Sequence, residues 1–168
     1  MGLLHTASQA CVIMRLRVDA IGAVQRFLSF STGGSAATPR LIIGLNAIGN
    51  LSVQVRRGDA DSTTVAASGA VVFSAATTHS LIVTVDYAAG GTGAIKGYVD
   101  GPEVLSASLA STGAASATDS LRARLMANLA SSAADHLDGR LSRCIVASGT
   151  SAIPTSTERT AIFTELSA

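Results

Sequence analysis

In residues 11–20, CVIMRLRVDA, the apolar Val12, Met14, Leu16 and Val18 alternate with Ile13, Arg15, Arg17 and Asp19. Successive side chains leave a strand on opposite sides, so period two over this length predicts a β-strand with one buried face. Comparable runs follow at 24–31, 40–47, 50–57, 69–75, 79–87, 94–101, 103–109, 121–129 and 139–148. Gly beside Asn or Asp marks the connections, as at Gly49-Asn50, Gly58-Asp59 and Asp138-Gly139, and these are the residues that tight turns need. About ten short strands with almost no helical periodicity predict an all-β chain, folded as a sandwich or a barrel. Only the tail departs. Thr155 and Glu158 form a Thr-x-x-Glu capping box, and Ile162, Phe163 and Leu166 follow at helical spacing. This predicts a short C-terminal helix packed on the sandwich through Ile162 and Leu166.

A chain of 168 residues fits one domain. Residues 1–10 read as an N-terminal arm and 11–168 as a single β-sandwich domain. The segment 108–120, SLASTGAASATDS, lacks large apolar residues and reads as a long exposed loop. In the hairpin 97–106, GYVDGPEVLS, Asp100-Gly101 supplies a positive-φ turn, and Pro102 limits pairing at the start of the return strand. Asp100 is therefore a turn former rather than a catalytic acid.

Twelve basic residues stand against eleven acidic ones, a net charge of +1, and no basic run exceeds Arg56-Arg57. Phosphate binding needs clustered Lys and Arg, so nucleic acid is not an expected partner. The first residues lack a basic segment followed by an apolar one, and no apolar stretch approaches the roughly 20 residues of a membrane span. Neither secretion nor a membrane is expected. Cys11 and Cys144 are too few and too far apart for a disulfide framework or a zinc site. Free thiols and a single bridge both stay open.

Several segments together resemble the concanavalin A-like, or laminin G-like, jelly-roll family: VIMRLRV, RLIIGLNAIGNLSVQV, HSLIVTVDY, GYVDGPEV and LDGRLSRCIVAS, in that order over residues 12–166. The resemblance implies that the last Gly-containing strand returns beside the first, which would bring Cys11 and Cys144 near each other. It also shows departures. The aromatic residue usual before the His-containing strand is replaced by Ala75-Ala76-Thr77-Thr78, and the Glu-x-Asp-x-x-Glu strand of the family's glycosidases does not occur. All three glutamates, Glu103, Glu158 and Glu165, lie at a hairpin or in the tail. A glycosidase needs two carboxylates held about 5 to 10 Å apart across a cleft, and no strand offers such a pair. No Gly-x-Ser-x-Gly elbow accompanies the many serines. No enzyme is expected.

Few residues remain as binding candidates. Phe27, Phe30, Phe73 and Phe163 read as core, and Tyr87 lies in the apolar phase of its strand, which leaves Tyr98 as the exposed aromatic for a sugar ring. Asp59 and Asp61, in RRGDAD, join it as glycan-binding candidates. Asp135 and Asp138, in DHLDG, are the candidates for a metal, with calcium as the one ion that suits them. No other cofactor is expected. Arg57-Gly58-Asp59 is also a cell-adhesion tripeptide, here read as a hairpin tip. His79 reads as a packed, hydrogen-bonded residue.

A charged fraction of only 14%, a surface of alanine and hydroxyl residues, and the resemblance to modules common in phage surface proteins give the leading expectation. It is a non-enzymatic structural component of a bacteriophage virion, made in the host cytoplasm, such as a capsid decoration (cement) protein or a tail or fibre part. Its expected partners are other virion proteins, such as the major capsid or tail protein, and further copies of itself. The alternative is a carbohydrate-binding module that attaches to a host glycan.

Overall fold

The computed structural model describes residues 4, 7–32, 39–58, 61–87, 93–109, 121–127 and 135–168. They form ten strands, β1 (Gln9–Val18), β2 (Gln25–Thr32), β3 (Pro39–Leu45), β4 (Leu51–Val55), β5 (Thr64–Ala67), β6 (Thr77–Asp86), β7 (Gly93–Val99), β8 (Glu103–Leu109), β9 (Leu121–Leu125) and β10 (Gly139–Ser148), followed by one helix, α1 (Ser156–Ser167). Two five-stranded antiparallel sheets result. One runs β10-β1-β6-β7-β8, the other β5-β4-β3-β2-β9. The first and last strands are neighbours, with Ile13 opposite Ile145 on one side and Ile82 on the other.

The alternation in β1 decides which face meets the second sheet. Val12, Met14, Leu16 and Val18 are wholly buried and join Leu41, Ile43, Leu45, Leu51, Val53 and Val55 in the core between the sheets. Each fully buried aliphatic side chain of this kind contributes about 1.5–3 kcal/mol relative to exposure. Phe27 and Phe73 meet edge to face inside this layer, with ring centroids 5.3 Å apart. At Gly97 the sheets come close together: a Cβ there would lie 2.4 Å from Leu51 Cδ2.

The opposite face of β1 is covered as well. Cys11, Ile82 and Tyr98 form a second buried cluster, against which Ile13, Ala147, Ile162 and Phe163 pack. Thus α1 lies across the outer face of the β10-β1-β6-β7-β8 sheet. Its start is the expected capping box: Thr155 Oγ1 accepts from Glu158 N, and Glu158 Oε2 accepts from Thr155 N at 2.7 Å. No helix among the described residues is long and apolar enough to cross a membrane.

Three local expectations change. Residues 69–75 are not a strand: the N–H groups of Val72 and Phe73 both donate to Gly49 O, which ties the run to the β3–β4 turn while Phe73 enters the core. The strand at that sheet edge is instead β5, whose sequence TVAA is too short and too small to alternate visibly. Gln9 and Ala10, read as part of the arm, open β1, and Leu4 of the arm is buried in the core. Cys11 and Cys144 do lie on adjacent strands, but Cys11 is opposite Ala147 while Cys144 is opposite Met14. Their side chains therefore leave opposite faces of the sheet, and both thiols are free. Most of the expected loop at 108–120 lies outside the described residues.

Candidate functional site

The β7–β8 hairpin and α1 enclose an open groove of about 720 Å³, lined by Tyr98, Gly101 and Glu103 from the hairpin and by Ser156, Arg159, Thr160, Phe163, Thr164 and Ser167 from the helix. The hairpin side is fixed by its turn. Asp100 and Gly101 take φ of 53° and 115°, and Val99 N donates to Pro102 O at 3.1 Å, the two-residue positive-φ turn that Asp-Gly favours. Strand alternation then sends Tyr98 to the outer face, beneath α1.

Tyr98 is buried, at 6% exposure, so the expected open sugar platform is not what this ring offers. Arg159 covers its face, with the guanidinium carbon 4.5 Å from the ring centroid, and Arg159 Nη1 donates to Pro154 O at 2.8 Å. The Tyr98 hydroxyl donates to Glu103, whose Oε2 also accepts from Lys96 Nζ at 3.1 Å. Burial, followed by this bond to Glu103, raises the Tyr98 phenol above its usual range. The Lys96 bond, and then Tyr98, hold the Glu103 carboxyl below the usual carboxylate range. Glu103 is thus an anion and Arg159 a cation on facing walls. The aromatic surface facing the groove comes from the half-buried Phe163, which lies at helical spacing in the tail and was expected in the core.

The helix wall carries hydroxyls at 156, 160, 164 and 167, one stripe of a 3.6-residue period. Thr160 Oγ1 donates to Ser156 O, Thr164 Oγ1 to Thr160 O and Ser167 Oγ to Phe163 O, at 3.1, 3.0 and 2.8 Å. At the far end of α1, Arg15 donates to Leu166 O, and Arg143 Nη1 donates to Glu165 O at 3.4 Å. The last turn of the helix has no basic residue of its own, so the sheet supplies the cations that complement its carbonyl end.

The other candidates do not converge on this groove. Asp61 serves a turn after β4, its Oδ2 accepting from Gly58 N at 2.8 Å. Asp59 lies outside the described residues. Asp135 and Asp138 anchor the approach to β10: Asp135 O accepts from Arg26 N, Asp138 O accepts from Asp19 N, and Asp138 N donates to Gln25 Oε1. Among the described residues no three His, Cys, Asp or Glu side chains gather in a way that could hold a metal ion.

Asp100 has a second role that the sequence did not reveal. Its Oδ2 accepts from His79 Nδ1 at 2.7 Å, and its Oδ1 accepts from Ser80 N at 2.8 Å. His79 Nε2 in turn accepts from Ser74 N at 3.3 Å. Both ring nitrogens are therefore engaged in a ring only 5% exposed, and no lone pair is left for a substrate. The carboxylate-histidine pair is a lock on the hairpin.

No family model matches the chain, and no curated protein sequence matches it. Solved structures do. The Ruminococcus gnavus IT-sialidase CBM40 bound to α2,3-sialyllactose superposes with a TM-score of 0.70 at 13% identity, over 94% of this chain and 83% of that one. The native heptameric SAP-like pentraxin of Limulus polyphemus gives 0.66 at 12%, over 94% and 70%. The binding domain of botulinum neurotoxin DC in complex with SialylT gives 0.65 at 8%, over 95% of this chain and 36% of that one. At such identities the likeness shows the fold alone, a two-sheet antiparallel jelly-roll sandwich.

Proposed function

We propose that this domain is a non-catalytic carbohydrate-binding module and that its glycan lies in the groove between α1 and the β7–β8 hairpin. The observation that carries the reading is the lining of that groove, where Phe163, Glu103, Arg159 and the helix hydroxyls border one open space. A sugar presents a C–H face and a rim of hydroxyls, which fit an apolar ring edged by charged and neutral polar groups. The groove volume of about 720 Å³ lies within the range of small-ligand sites. Fold likeness to a module bound to sialyllactose supports the same reading, which was the alternative to the virion role. A glycan array followed by calorimetry tests it. Phe163→Leu, which keeps an apolar contact beneath α1 but removes the aromatic face, and Glu103→Ala are expected to weaken binding at least about tenfold while the thermal midpoint stays within a few degrees. Flat binding across the array removes the reading.

One observation favours association with other subunits, the feature that the virion reading requires. β10 is a ten-residue edge strand, and no described strand pairs with its outer side. Its Ile145 is 53% exposed, and such edges template pairing. Sedimentation of the domain alone and with virions addresses that role: a monomer that never joins particles excludes it.

A further inference from the structure

We infer that the groove selects a neutral, hydroxyl-rich glycan over a carboxylated one. This rests on the carbohydrate-binding reading and adds what the walls can and cannot pair with. The residues that line the groove include one anion and one cation, Glu103 and Arg159, and Lys96, the cation beside Glu103, is already bound to its Oε2 at 3.1 Å. Part of the lining cation is also in use, since Arg159 lies over Tyr98 and donates Nη1 to Pro154 O. The helix hydroxyls have given their protons to backbone carbonyls, which leaves the oxygens of Thr160, Thr164 and Ser167 presenting lone pairs. The N-terminal end of α1, where an anion would gain most, is filled by the Glu158 carboxylate, which binds Thr155 N and Thr155 Oγ1 at 2.7 and 2.8 Å.

The walls are therefore rich in acceptors. Sugar hydroxyls satisfy them by donating, while the C–H face of the ring covers Phe163. A carboxylate brings only acceptors. It would meet the Glu103 charge and the hydroxyl lone pairs, with the remaining N–H groups of Arg159 as its partner, and each hydroxyl turned to meet it would give up its bond to the helix.

The test is nuclear magnetic resonance titration of the whole domain with matched sugars: lactose against sialyllactose, and cellotetraose against a galacturonate oligomer. The expected result is that a neutral sugar shifts the signals of residues 98–103 and 156–167, and that carboxylated sugars bind about tenfold more weakly or not at all. Glu103→Gln, at an exposed position that leaves folding intact, is expected to narrow that difference. A carboxylated sugar that binds in the groove as tightly as its neutral counterpart overturns the selectivity and leaves the glycan reading standing. Binding of neither class, or shifts confined to another surface, overturns both.

Discussion

Asp100 combines two demands in one side chain. As the first residue of the turn it holds a positive φ, and its carboxylate bridges His79 Nδ1 and Ser80 N. Substitution by Ala removes both bonds and places a residue with less tolerance for that backbone, so Asp100→Ala is expected to lower unfolding free energy by about 1–3 kcal/mol. Asp100→Asn, which tolerates the turn and keeps an acceptor, should recover more than half of that loss. Urea denaturation of the three proteins checks the order, and equal losses for Ala and Asn would reject it. The turn itself was legible, because Asp-Gly between alternating runs has a local cause. The partnership with His79 was not, since the pair meets only through the register of β6 against β7, with Leu81 opposite Val99. Tyr98 was misjudged for a related reason: alternation placed it correctly on the outer face, but nothing local announces that a helix covers that face. Phe163 is the converse case. Its helical spacing implies core, and it does pack on the Cys11-Ile82-Tyr98 cluster, but the same ring also borders the groove.

At the scale of elements, strands with long apolar alternation were readable from the sequence, and β5 was not, because four small residues carry too little pattern. The helix was readable from its capping box, but its docking was not. A 12-residue helix is marginal in isolation, and this one depends on Ile162, Phe163 and Leu166 below and on Arg15 and Arg143 at its carbonyl end. Cys11, beneath it, reports whether it is seated: burial pushes that thiol up to about 11. In a Cys144→Ala background, replacing Arg15 and Arg143 together by Ala is expected to speed maleimide labelling of Cys11 about tenfold, the equivalent of 1.4 kcal/mol of docking free energy. Circular dichroism should still report the sheets. An unchanged labelling rate would show that the arginines do not hold the helix. Six of the nine residues that line the groove belong to α1, so the same variant should also lose any ligand that the groove binds.

For the whole molecule, the core makes the fold sensitive to base. Burial raises Cys11, Cys144 and Tyr87 above their ordinary values, so the folded state holds these protons more firmly than the unfolded chain does. Their contribution is complete below the unfolded values, about 9 for a thiol, and is lost as pH rises through the folded ones. Unfolding free energy is therefore expected to fall by about 1–3 kcal/mol between pH 8.5 and 11, measured by urea titration. Cys11→Ala should flatten part of that slope, and a flat profile in the parent protein would contradict the burial of these groups. The sheet order has a different kind of consequence, in time rather than in energy. β1 is made first and sits between β6 and β10, so neither neighbour is local and one of them ends at Ser148. A chain in synthesis holds β1 unpaired until β6 has been made, and both of its edges are filled only once β10 has followed. Folding should then be slow, in the millisecond to second range of non-local β-topologies, and the waiting strand is the part of the chain a chaperone would meet.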